Sequence, residues 1–489
     1  MTKTVTRRDF LKQSLLTTAA LSLPTIGLFA ADQNGLERKG KARKVIILGA
    51  GLAGLSAAYE LSKAGHEVVV LEARSRPGGR VYTYRESFAE GLYAEVGATR
   101  IPENHDWTMK YVELFNLTLD EFRPLHLRDV RYIHGKRFVA GHGEEIDWPV
   151  DLTPEEREMG LSGMRRKYIT SVTKEIEDPF APDWPPSSLL KYDQMTWIEF
   201  LRQQGASPGA IELLTLGHSA GLYKHASALQ VLRVSAQGRV RKQMYKIRGG
   251  NDLLPQAFAA KLREHILYNA PVTAIAQDDH GVRISCASSG GHDTVEGDFV
   301  LCTIPFTVLR RIEVTPKFSP DKQRAVDQMW YTSISRVCMQ TKKRFWLEDS
   351  LSGFGASDLP VMEVWDLSNN LPGNRGMLLA YSSGEAAQNL SAMKEEERLP
   401  ATLEHMEKLF PGTKEHFEVG KAICWDDEEW SRGAWSWLTP GQARSVLPFI
   451  SRPEGRIYFA GDHASAWPSW MQGALESGNR AAREINDAA

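Results

Sequence analysis

A continuous apolar run from Val45 to Leu48 predicts a buried parallel strand, because such strands are covered on both faces. It breaks at Gly49, and the residues after Gly54, "LSAAYELSKA", return to the spacing of an apolar helix face. A second apolar run, "EVVVLE", closes the unit at Glu72. Further along, "GMLLAYSS" predicts an apolar strand near whose end Tyr381 lies, and "GRIYFAGDHASAWPSWMQGALESGNRAAREI" predicts a strand, a turn at Gly461-Asp462 and a C-terminal helix. Between them, "LTPEEREMGLSGMRRKYITSVTKEI" and "MTWIEFLRQQGASPGAIELLTLGHSAGLYKHASALQVLRVS" repeat apolar positions at helical spacing, so an inserted helical domain is expected there. His218 and His225 lie in that region and carry no catalytic weight, since a lone helical histidine is ordinarily a surface or core residue.

At 489 residues the chain exceeds what one hydrophobic core supports, so two or three domains are expected. Hydrophobic residues make up 42% and charged residues 25%, the balance of an ordinary globular protein. A net charge of -2 and the lack of basic runs interleaved with aromatics argue against nucleic acid as a partner. Cys286, Cys302, Cys338 and Cys424 are scattered, neither paired as C-x-x-C nor dense enough for a disulfide scaffold, and read as small core residues with no metal site. The first thirty residues differ from the rest. Arg7-Arg8 precede "DFLK" and then "LLTTAALSLPTIGLFAA", a moderately apolar run broken by Pro24 and Gly27. That pattern predicts a twin-arginine export signal over residues 1–31, with no stable membrane span after its removal and a periplasmic or extracellular destination. The route carries folded proteins, which suits a chain that takes up a large cofactor first.

Gly49-Ala50-Gly51-Leu52-Ala53-Gly54 fits G-x-G-x-x-G between a strand and a helix. Gly49 permits the turn, Gly51 admits a pyrophosphate against the backbone, and Gly54 lets helix and strand pack closely. The phosphates then face a helix N-terminus. Glu72 stands about 20 residues on, where a carboxylate accepts from ribose hydroxyls and repels a 2′-phosphate, favouring FAD or NAD over NADP.

With "ARSRPGGRVYTYR" the chain resembles the flavin amine oxidases, the family of monoamine oxidases and L-amino acid oxidases, in which a strand ending E-A leads into a G-G-R turn. "YKIRGGNDLLPQAFAAKL", "ILYNAPVTAI", "DFVLCTIPFTVLR" and the C-terminal segment extend the resemblance over residues 43 to 487. It implies an α/β fold: a Rossmann-type FAD-binding domain built from 41–105, 244–318 and 455–489, a mixed-sheet substrate domain from 106–125 and 319–454, and a helical domain over 126–243. It places Ala73, Arg74, Gly79, Arg80, Gly97, Ala98, Thr99, Arg100, Val272, Gly461, Asp462, Trp470, Met471 and Ala474 beside FAD, with the Arg80 guanidinium offsetting pyrophosphate charge. Only one G-x-G-x-x-G is present, so electrons are expected from an organic substrate and not from a second nucleotide.

Within the resemblance, "EVGATRIP" matches the R-x-P of L-amino acid oxidases, with Arg100 forking onto a substrate carboxylate; a structural ion pair is the competing account of Arg100. Tyr381 and Trp470 are implied to flank the flavin. Arg336 stands where the family carries a lysine that holds a water against the flavin, and arginine cannot give up a proton. Ala434 stands where monoamine oxidases place the cysteine bonded to FAD, so FAD is expected to be non-covalent. The activity implied is oxidative deamination of L-amino acids, hydrophobic or aromatic ones first, by hydride transfer to flavin with oxygen as acceptor, in a homodimer. A monoamine or polyamine oxidase, an L-amino acid monooxygenase, and a flavin-bearing protein without turnover remain open on sequence alone.

Overall fold

A computed structural model describes residues 35–489 apart from 142, 218–219, 239–242 and 289–290; the twin-arginine segment and His218 lie outside the described residues. Five strands form a wholly parallel sheet: β1 (Lys44–Leu48), β2 (Glu67–Leu71), β3 (Ile266–Leu267), β4 (Phe299–Cys302) and β5 (Ile457–Phe459). Their spatial order is β3-β2-β1-β4-β5, so the connection reverses direction between β1 and β4. Ligands of open parallel sheets bind at that reversal, beyond the carboxyl ends of the strands.

Two helices cover the sheet beside β1. Helix α1 (Leu52–Lys63) follows β1, and helix α2 (Met471–Asp487) lies against α1 although the chain reaches it last. Both approach closely through glycine. A Cβ on Gly54 would come within 2.1 Å of the Gly49 carbonyl oxygen, and one on Gly478 within 2.3 Å of that of Ala53. Polar contacts tie the same layer: the Tyr111 hydroxyl donates to Glu60 at 2.9 Å and to Asn479 Oδ1 at 3.0 Å, all three buried.

The second large sheet has seven strands, running Phe417–Cys424, Ile334–Thr341, Gly376–Ser383, Glu363–Asp366, Leu351–Ser357, Arg128–Ile133 and Lys136–Ala140 across its width. It is mixed, since Leu351–Ser357 pairs parallel with Arg128–Ile133 and the remaining pairs are antiparallel. Its central strands, Ile334–Thr341 and Gly376–Ser383, are buried along their whole length.

Residues 128–140 were expected within the helical domain and instead form a hairpin of this sheet. The cause is local: "RDVRYI" and "KRFVA" flank His134-Gly135, whose φ angles of 50° and 76° suit a tight two-residue hairpin turn. Helices proper begin at Pro154–Arg165, where Thr153 and Glu156 form a capping box, and continue through Trp197–Gln203, Pro208–Thr215 and Ala228–Gln237 around a core including Trp197, Phe200 and Leu232.

The link between the two sheets is the stretch 95–102. Glu95 is buried, accepting from the Asn251 backbone N–H at 2.8 Å and the Thr83 hydroxyl at 2.9 Å. The Asn251 side-chain amide donates to the carbonyls of Ala98 and Thr99, both at 2.9 Å. Ile101–Pro102 then pairs with Met244–Ile247.

Two outcomes follow for this frame. Gly54→Ala forces the Gly49 turn away from α1 and lowers stability by about 1–3 kcal/mol, read as a lower thermal midpoint; an unchanged midpoint contradicts the close approach. Burial raises the Glu95 pKa from the ordinary 4.5 to about 7. The folded state therefore holds this proton more tightly, and the stability it contributes, complete below pH 4.5, is lost as pH rises through about 7. Glu95→Gln has no such loss, so its midpoint gains on wild type between pH 5 and 7.5; a pH-independent difference counts against a buried, late-titrating Glu95.

Candidate active site

A cavity of about 630 Å³ opens at the carboxyl ends of β1, β2 and β4 and runs to the seven-stranded sheet. Of the residues expected at a cofactor, Gly49, Gly51, Ala53, Glu72, Ala73, Arg74, Gly79, Arg80, Gly97, Ala98, Thr99, Val272, Gly461, Asp462, Met471 and Ala474 line it. Arg100, Arg336, Tyr381 and Trp470 line its other end. Ala50 and Gly54 do not reach the cavity. Ala50 acts through its backbone N–H, which donates to Glu72 at 2.7 Å, and Gly54 through the helix packing described above.

The nucleotide end has the form that a dinucleotide requires. Gly49 has φ 105°, and a Cβ built on Gly51 would meet nothing within 4 Å except the open cavity, so a ligand can lie against this backbone. No side chain caps the first turn of α1, leaving its N–H groups for an anionic group. Each Glu72 oxygen accepts one backbone N–H, from Ala50 at 2.7 Å and Arg74 at 2.8 Å. Burial raises the pKa of Glu72 against the pull of these bonds.

Two arginines of the cavity wall are also engaged by protein groups. Arg80, expected to offset a pyrophosphate, lines the cavity, and its guanidinium is held by Asp462 at 2.5 Å and the Ala434 carbonyl at 2.6 Å. Buried pairs of this kind form because an unpaired buried charge is costly. Arg80 thus joins the turn after β2 to the turn after β5. Arg74 pairs with Glu428 at 3.2 Å and with the Ser431 hydroxyl at 3.1 Å.

At the substrate end, Arg336 departs from the lysine pattern and its position explains the departure. Its Nη1 donates to the carbonyls of Glu95, at 3.0 Å, and Gly97, and to the Thr99 hydroxyl at 2.6 Å. This nitrogen therefore holds the 95–99 loop, while the buried Nε has no hydrogen-bond partner among the described residues. Tyr381, its cross-strand partner, is buried, which pushes the phenol up to about 12 despite the opposing fields of Arg336 and Arg100.

Arg100 projects into the cavity with its Cζ 4.7 Å from the centre of the Trp365 ring and 5.8 Å from that of Trp470. Among the described residues no carboxylate forms a salt bridge with it, so the competing account of Arg100 as a structural ion pair finds no partner. Burial lowers its pKa, and the fields of Glu363 and Tyr381 act the other way. Trp470 caps the start of α2 and meets the His105 ring edge to face at 4.9 Å.

Several aromatic residues of the site escaped the sequence reading. Trp365 stacks on Arg100 and lies 5.0 Å from Tyr381. Trp425 lines the cavity and donates from its indole to the Val96 carbonyl at 2.9 Å. Trp435 and Trp437 add two more walls. The available signal was alternation: "MEVWD" puts Glu363 and Trp365 on one face of a strand, as "WSW" does for Trp435 and Trp437.

Residues 52–486 match the family of flavin containing amine oxidoreductases. A putative L-amino-acid oxidase of Bacillus subtilis (strain 168), YobN, is 32% identical over 93% of this chain and 97% of its own. The L-amino-acid oxidase BmooLAAO-I of Bothrops moojeni is 31% identical over 93% and 92%. Among solved structures, a triple mutant of putrescine oxidase redesigned in its cofactor binding superposes with a TM-score of 0.81 at 24% identity, covering 92% of this chain and 99% of that one. Cyclohexylamine oxidase from Brevibacterium oxydans IH-35A gives a TM-score of 0.78 at 21% identity over 92% and 99%. These two share the fold. The glycine cradle, the Glu72 carboxylate and this kinship agree on FAD as the cofactor, and the chain belongs to the flavin-containing amine oxidoreductases.

Proposed function

We propose that the protein is an L-amino acid oxidase that converts L-amino acids with apolar or aromatic side chains to 2-oxo acids, ammonia and hydrogen peroxide. The observation that carries this reading is Arg100, a cavity guanidinium among aromatic rings to which no carboxylate of the described residues is bonded. A desolvated cation is costly without a partner, and a substrate carboxylate supplies one with matching planar geometry. A simple amine offers no such group. Relatives named as L-amino-acid oxidases, matched over nine tenths of the chain, support the same reading.

Arg100 grips the carboxylate, the Tyr381 hydroxyl adds a polar contact, and Trp365 and Trp470 narrow the slot around the α-carbon. Orientation of this kind removes much of the entropic barrier. FAD, when bound, would supply hydride acceptance from the α-carbon and reoxidation by oxygen. The substrate amine must be neutral at that moment. Arg336, permanently charged and committed to the 95–99 loop, takes no proton from it. Water then hydrolyses the imino acid. Leu222, Val231, Val234 and Trp437 lie on the cavity wall, an apolar surface suited to a large apolar side chain. The Arg7-Arg8 segment supports export by the twin-arginine route with FAD already in place.

Under anaerobic conditions, flavin bleaching is expected with L-amino acids and not with their D-forms or decarboxylated amines. Bleaching by the amines alone makes the protein an amine oxidase, and an amide product makes it a monooxygenase. Arg100→Ala is expected to cost about 2–4 kcal/mol of carboxylate binding, a rise of about 30- to 1,000-fold in KM, with FAD retained; an unchanged KM refutes the fork. Ala434 lines the cavity and offers no nucleophile, so denaturation releases all the flavin into solution. Flavin remaining with the precipitated chain overturns non-covalent binding.

A further inference from the structure

The register of the seven-stranded sheet places Arg336, Tyr381 and Glu363 in one transverse row, each directly opposite the next on neighbouring strands. Such partners share a face, and Trp365, two residues beyond Glu363, shares it too. Arg336, Tyr381 and Trp365 line the cavity from this face, and Glu363 is not part of its lining. Its Oε2 accepts from the Trp365 indole N–H at 2.8 Å. The ring so held lies 4.7 Å from Arg100 Cζ, 5.5 Å from Arg336 Cζ and 5.0 Å from Tyr381. The other carboxylate oxygen faces Gly217, where φ is 105° and a Cβ would come within 2.8 Å of Oε1. Backbone from the helical region thus lies close to the second carboxylate oxygen of Glu363.

We propose that Glu363 is a positioning residue for carboxylate recognition: it fixes the rotation of Trp365, and the fixed indole face holds the Arg100 guanidinium in the plane a substrate carboxylate needs. This rests on the amino-acid activity proposed above. The physical basis is additive. An indole N–H bonded to a charged acceptor resists rotation, and a guanidinium over an aromatic face is attracted to it. Among the described residues no carboxylate is bonded to Arg100, so the ring on which it lies sets its orientation. Glu363 itself does not line the cavity that would hold substrate and cofactor. Its effect belongs to binding, and the chemical step is left alone.

The test compares Glu363→Leu, which removes the acceptor, with Glu363→Gln, which keeps a carbonyl oxygen for the indole N–H. Both are made in the full-length, FAD-loaded enzyme and measured alongside Arg100→Ala. Glu363→Leu is expected to raise the amino-acid KM about fivefold to twentyfold with kcat changed less than about threefold. It should weaken the binding of a 2-oxo acid, read by isothermal titration, by a similar factor. Glu363→Gln recovers most of both losses. Trp365→Phe removes the indole donor, so in that background the two Glu363 variants should have equal KM values; if Glu363→Leu fails to fold, Glu363→Ala, which also lacks the acceptor, takes its place in both comparisons. An unchanged KM in Glu363→Leu, a Gln variant as impaired as the Leu variant, or a Glu363 effect that persists undiminished in Trp365→Phe overturns the proposal. If Arg100→Ala binds substrate normally, the amino-acid reading itself fails; if Arg100→Ala is impaired and Glu363→Leu is not, the inference about Glu363 fails alone.

Discussion

The site depends on keeping one cation in a cavity where no carboxylate of the described residues is bonded to it. Water screens a surface arginine, and a partner offsets a buried one, but Arg100 has aromatic faces and the more distant field of Glu363. Such a group stays in place only if the backbone that carries it cannot relax. The loop 95–99 meets that demand through Glu95 and Asn251 on one side and through Arg336 on the other. The role of Arg336 is thereby mechanical. A second permanent charge, placed where backbone carbonyls can share it, holds the loop that carries the first.

The same loop joins the two halves of the protein. Gly97 lies so close to the turn after β2 that a Cβ there would fall within 2.1 Å of the Arg80 carbonyl oxygen. Arg80 in turn grips Asp462 after β5. A displacement at the nucleotide end is therefore passed to Arg100 through hydrogen bonds and hard contacts.

Much of this was legible in the sequence where the signal is local. The strand, glycine turn and helix over 45–63 and the carboxylate at Glu72 follow from composition and spacing, and the structure forms them there. Arg100, Tyr381 and Trp470 came from resemblance, and the cavity brings them together. What was missed depends on contacts distant in the chain. Arg80 was placed beside the cofactor by resemblance, but its pairing with Asp462 was not legible because Asp462 arrives from far along the chain. The hairpin at 128–140 was absorbed into a helical region because its alternation is short and its partner strand lies beyond residue 350. Trp365 escaped because an aromatic residue on a strand is ordinarily core, and only the register with Tyr381 and Arg336 shows which face it takes.

The placement of α2 against α1 has a bearing on biosynthesis. The glycine turn after β1 leaves the ribosome early, but the helix that packs on it and the turn at Asp462 that receives Arg80 are translated long after it. Until then the nascent chain carries β1 without its β4–β5 flank and has no complete pocket to close on a cofactor. Flavin capture is thus postponed until α2 and the Asp462 turn have been made, and the bound cofactor becomes a certificate that the separated parts of its pocket have come together.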